Sequence, residues 1–92
     1  MAFDANLVCS FGTVVKIGEK RAEIEVKLGQ GAKSVLTVPH DIPETQFAGS
    51  GNYSNLRQGM GAYVWTDGAP QAQEKEGQIS KLPVAIISPI YR

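Results

Sequence analysis

The side chains best suited to chemistry in this chain are few and scattered: one histidine, His40, one cysteine, Cys9, and two loop serines, Ser50 and Ser54. A serine nucleophile needs a base within hydrogen-bond reach and a third group to orient that base. Asp41 follows His40 directly, but neighbours on an extended chain point to opposite sides, so the two are not a natural dyad. Nothing in the spacing brings Ser50 or Ser54 to His40. The expectation is a solvated loop histidine and a chain that is not an enzyme. One cysteine and one histidine fall short of the four ligands of a structural zinc. Glu23 and Glu25 are spaced to share a strand face, which would suit a hard cation, but that spacing is also simply the wet side of a strand. No metal or other cofactor is expected. The Ala48-Gly49-Ser50-Gly51 stretch lacks the Gly-Lys-Ser/Thr ending of a phosphate loop and reads as a flexible loop. Cys9 sits in an apolar run and is expected to be a buried structural thiol.

The aromatic residues carry more. Tyr63 and Trp65 share one parity of a short run rich in β-formers, and Ala62, Val64 and Thr66 take the other. If Val64 faces the core, Tyr63 and Trp65 form an outward pair. Such a pair anchors protein contacts or provides a stacking platform for bases. If they face inward, they are the core. Periodicity leaves both arrangements open. Phe47 and Tyr53 in the preceding loop, and Ile90 and Tyr91 in the C-terminal tail, are the residues placed to extend such a surface.

The elements that would hold these residues are strands. Ala22 to Leu28 alternates apolar Ala22, Ile24, Val26 and Leu28 with charged Glu23, Glu25 and Lys27, the period of a strand with one buried and one wet face. Strands are predicted at Leu7–Ile17, Ala22–Leu28, Ser34–Val38, Ala62–Thr66 and Leu82–Ile87. Gly12 inside the first reads as a bulge or bend. Gly18 to Arg21 and Gly29 to Lys33 are turns, so the first three strands form a meander. The connection from His40 to Gly61, roughly 20 residues, is long for a compact domain, and long loops often carry function. One helical turn is expected near Pro43, with Asp41 as cap and Glu44 in the first turn. Ala48 to Asn52 is expected to hold no regular structure. Ala69 to Gly77 is rich in helix formers but has no apolar face, so a mobile loop or one exposed turn is expected. Pro83 points to an edge position or a bulge, and Ser88-Pro89 is expected to break the fifth strand.

The chain therefore reads as all-β: one domain over residues 1–92, a small five-stranded antiparallel barrel with a long loop between strands 3 and 4. An SH3-like barrel is preferred, because the glycines at 49, 51, 59 and 61 leave little room for the helix an OB-like barrel carries there. Nine basic and nine acidic residues cancel, which disfavours a phosphate-neutralising surface. No run approaches the roughly 20 apolar residues of a membrane span, and the N-terminus lacks the basic start and apolar stretch of a secretory leader. A soluble, cytoplasmic protein is expected. The preferred function is a non-enzymatic structural module that builds a larger protein assembly, as a homo-oligomer or as a virion's capsid-decorating or tail-associated subunit. The alternative is a single-stranded nucleic-acid-binding barrel.

Overall fold

The alternation in Ala22–Leu28 organises the sheet. In the computed structural model, which describes residues 6–49 and 51–90, five strands form: β1 (Leu7–Ile17), β2 (Arg21–Gly29), β3 (Ala32–Pro39), β4 (Gly61–Asp67) and β5 (Val84–Pro89). β2 runs between β1 and β3, so Ile24 stands opposite Val14 on one side and Leu36 on the other. Directly opposed residues share a face of the sheet, and all three are fully buried. Each such burial is worth about 1.5–3 kcal/mol.

The strand order is β3-β2-β1-β4-β5, every neighbour antiparallel. Three strands meander, and the long connection then returns the chain to lay β4 beside β1. That is the Greek-key order. β3 and β5 end the sheet and do not pair with each other, so the sheet is not closed by hydrogen bonds. Unpaired edges invite association, and here both are partly covered from within. Along β3, the Lys33 and Val35 carbonyls accept from Gln73 N and Ser80 N, each at 2.8 Å. Along β5, the Ile87 carbonyl accepts from Ala48 N at 2.8 Å.

Gly12 holds β1 close to β2. A β-carbon on it would lie 2.6 Å from Ile24 Cγ2 and 2.9 Å from the Glu25 carbonyl oxygen. The expected irregularity in β1 falls instead between Val14 and Lys16, where the register with β2 shifts. There Val14 N donates to Met60 O and Val14 O accepts from Gly59 N, at 2.8 and 2.7 Å.

The long connection plugs the core. Ile42, Phe47 and Leu56 are buried in the same cluster as Val14, Ile24, Leu36, Val64 and Ile87. An open sheet leaves its apolar interior exposed at the ends, and these side chains fill that gap. The connection holds two single-turn 3-10 helices, Glu44–Gln46 and Tyr53–Asn55. The first is preceded by Pro43 and has no side-chain cap, so Asp41 does not serve as one. The second was not anticipated. Asn52 Oδ1 accepts from Ser54 N, and Asn52 N donates to Asn55 Oδ1, satisfying donors at the turn's start.

One further expectation holds and one is corrected. The Ala69–Gly77 segment forms no helix: it is a loop with one exposed turn, closed by Gln78 N to Lys75 O at 3.1 Å, and it belongs to a strap tied to β3 by the bonds from Gln73 and Ser80. Within the strap, Gln78 Oε1 accepts from the backbone N–H of both Glu74 and Lys75. And Ser88-Pro89 does not break β5. Ile87 O points away from β4, toward Ala48, while Ile90 N donates to Gly61 O on the β4 side. Alternate residues share a direction, so the donor Pro89 lacks would have faced away from β4, and no ladder bond is lost.

Candidate functional site

Register decides which aromatics reach the surface. Gly12 and Val14 face the core opposite Val26 and Ile24. Their odd-numbered neighbours Cys9, Phe11 and Thr13 must then face outward, and all three are exposed. Cys9 is thus a surface thiol, contrary to the burial expected from its apolar neighbours. On β4, Ala62, Val64 and Thr66 are fully buried. Tyr63 and Trp65 therefore point outward, Tyr63 at 44% exposure and Trp65 half-buried.

The strand pairings order this face into rows. Cys9 opposes Trp65, which opposes Ile86; Phe11 opposes Tyr63, which opposes Ser88; Thr13 opposes Gly61. Phe11, at 51% exposure, meets Tyr63 edge to face, with ring centroids 5.1 Å apart and planes at 67°. This geometry is favourable for aromatic pairs. Ile90 extends the face: its backbone N–H reaches Gly61 O at 2.9 Å. With Phe11, Arg57 and Met60 it lines a shallow hollow of about 450 Å³. Among the described residues these rows hold no charged side chain on β1, β4 or β5, but charge borders them: Thr13 also opposes Glu25 of β2, and the next pair along the face is Leu7 with exposed Asp67. Among the described residues the one cation in the hollow is Arg57, which donates from Nη1 to the carbonyls of Ser54 and Leu56.

Phe11 was missed by sequence reasoning. It shares its parity with Leu7, Cys9 and Val15, so it read as part of an apolar stripe. The signal that could have found it is Gly12, whose lack of a side chain marks the parity packed tightest against β2.

The other candidates are dispersed. Phe47 is 5% exposed and packs in the core, so it offers no surface to a partner. Tyr53 is half-buried on another side of the molecule. Its hydroxyl donates to Gly18 O at 2.8 Å, and its ring meets His40 edge to face. Burial pushes its phenol above the ordinary value of 10.0. Tyr91 lies outside the described residues, as does Ser50.

His40 and Ser54 line one shallow hollow with Glu19 and Glu44, but they do not form a dyad. The Ser54 hydroxyl donates to Asn52 Oδ1. His40 Nδ1 lies 3.1 Å from Lys20 O; a carbonyl only accepts, so the proton sits on Nδ1. His40 N donates to the same carbonyl at 2.8 Å, tying the end of β3 to the β1–β2 turn. Glu25 is paired with Lys33 at 3.5 Å, and Lys33 also reaches Glu76 at 3.6 Å. Among the described residues, no group of three metal-ligating side chains converges, and no helix is long and apolar enough to cross a membrane.

Comparison with known protein families, curated proteins and solved structures finds no match for this chain.

Proposed function

We propose that this chain is a non-catalytic assembly module that associates with further copies of itself through the outer face of β1, β4 and β5. The observation that carries this reading is the uncharged aromatic patch: Phe11 and Tyr63 packed edge to face and both about half exposed, beside half-buried Trp65. Exposed aromatic clusters of this kind mark interaction sites. The aromatic centre of this face can meet its own copy without stripping water from charges, and the exposed Asp67 carboxylate, opposite Leu7, stands at its end.

The Greek-key order with an unclosed seam supports an OB-type barrel over the SH3-like type, since OB-folds are partly open five-stranded Greek-key barrels. That architecture, with outward aromatics, favours a second reading as a single-stranded nucleic-acid binder. The charge distribution weighs against it. Among the described residues the aromatic rows hold no cation on β1, β4 or β5; Lys33 of β3 is paired with Glu25 and Glu76, which leaves Lys27 of β2 as one exposed cation beside the face.

Solution mass distinguishes the two. The expected result is a mass above the 9.9 kDa subunit that changes little with salt and falls to the monomer in Tyr63→Ala or Trp65→Ala. Such an anchor typically contributes ~2 kcal/mol or more. Tight, salt-sensitive binding of single-stranded DNA or RNA with no self-association would overturn the assembly reading.

A further inference from the structure

We infer that the open seam between β3 and β5 is a second binding site, one that takes an extended acidic peptide segment. The site does not use the aromatic face and stands independently of the assembly reading.

Three observations converge there. The first is backbone. Lys33 and Val35 turn their carbonyls away from β2 to accept from Gln73 and Ser80. Thr37, two residues further along the same strand with no register shift between, must turn its N–H and C=O the same way. Among the described residues neither group has a hydrogen-bond partner. The strap bonds the β3 edge at Val35 and lines the groove beside Thr37 without a backbone hydrogen bond to it. The second is shape. A groove of about 1050 Å³ opens at this place, with Thr37 on one wall and Val84 and Ala85 on the other. Ala85 is the unpaired residue of the β4–β5 register shift. The third is charge. Lys20, Arg21 and Lys81 line the groove against a single carboxylate, Asp41. Among the described residues, none of the three cations is in an ion pair. Within the groove this is an excess of positive charge beside an unsatisfied strand edge; Glu19 and Glu23, which share the adjoining hollow with Lys20 and Arg21, lie outside the groove.

An unpaired edge recognises the backbone of an extended peptide by adding it as a strand, and the cations select acidic side chains. Nucleic acid would satisfy the charge but not the edge. It would also want rings on which to stack bases, and among the described residues the groove lining contains no aromatic side chain.

The test uses the intact protein at low salt and three probes: a seven-residue peptide of alternating glutamate and valine, its lysine–valine counterpart, and a single-stranded thymidine oligonucleotide. The acidic peptide is expected to bind and the lysine peptide is not. Binding should slow hydrogen exchange at the Thr37 amide, read by NMR. Lys81→Glu and Arg21→Glu, both at exposed positions, should each weaken binding by roughly fivefold, the scale of reversing one exposed charge contact. Tyr63→Ala should leave it unchanged, which separates failure here from failure of the assembly reading. The inference is overturned if the acidic peptide does not bind, if it binds without protecting the Thr37 amide, or if the charge reversals have no effect while the variants keep the wild-type spectrum. Preferential binding of the oligonucleotide in this groove would overturn it in favour of a nucleic-acid site.

Discussion

The ring of Phe11 lies across Gly61, with its Cζ 2.8 Å from where a β-carbon on that glycine would stand. The rim of a surface ring can swing aside, so Gly61→Ala should cost about 1 kcal/mol or less, the low end for overpacking, while displacing Phe11 and weakening self-association. Gly12 differs, because its missing β-carbon faces the buried Ile24 side chain and the Glu25 backbone oxygen. Neither can yield cheaply, and Gly12→Ala should cost ~3 kcal/mol. Urea unfolding of both variants checks this. Equal losses would mean that β1 and β2 approach less closely than described.

The wet and dry faces of β2 should separate as sharply in energy as in position. Ile24 is fully buried, so Ile24→Ala should destabilise by ~2–5 kcal/mol. Glu25 makes a partly exposed pair with Lys33, and Glu25→Gln should cost ~1 kcal/mol or less. Comparable losses from the two would contradict the face assignment.

Local pattern announced the strands but not their assembly. Ala22–Leu28 reported its buried face because the polar alternates are charged. In β1 both parities are apolar, so only pairing with β2 reveals that Gly12 and Val14 face in and Cys9 and Phe11 face out. Tyr63 and Trp65 posed the same ambiguity, settled by the small residues Ala62 and Thr66 packing inside. Phe47 shows the limit from the other side. A phenylalanine in a polar, glycine-rich loop looks available to a partner, yet an unclosed sheet needs a plug and this residue supplies it. The seam at Thr37 was invisible for a related reason: an unpaired backbone group is a property of strand order, which no residue type encodes.

Tyr53 should give the protein a stability component that depends on high pH. Its folded-state value is raised by burial above the ordinary 10.0, so the folded protein holds the phenolic proton more tightly than the unfolded chain. The corresponding stability is fully present below pH 10 and is lost as pH rises through the folded value. Tyr53→Phe removes both this dependence and the bond to Gly18 O, at a cost of ~0.5–1.5 kcal/mol near neutrality. Chemical denaturation on both sides of pH 10 measures it. A wild-type slope identical to that of Tyr53→Phe would place the phenol in water.

Cys9 reports on the aromatic face directly. It stands opposite Trp65 in the outer rows and is exposed in the single chain, so in dilute, monomeric protein it should react promptly with a thiol reagent such as Ellman's. A buried structural thiol would react only on unfolding. If the face is the contact between copies, Cys9 becomes protected as concentration rises, and the protection disappears in Trp65→Ala, which cannot assemble. A bulky maleimide on Cys9 should hold the protein monomeric for the same reason. Salt should change the protection only modestly and in the direction of strengthening it, because the charge beside the Cys9 row is the single Asp67 carboxylate, whose repulsion between copies salt screens. Reactivity that stays constant while the solution mass increases would show that the copies meet elsewhere on the molecule, and the aromatic face would lose its role.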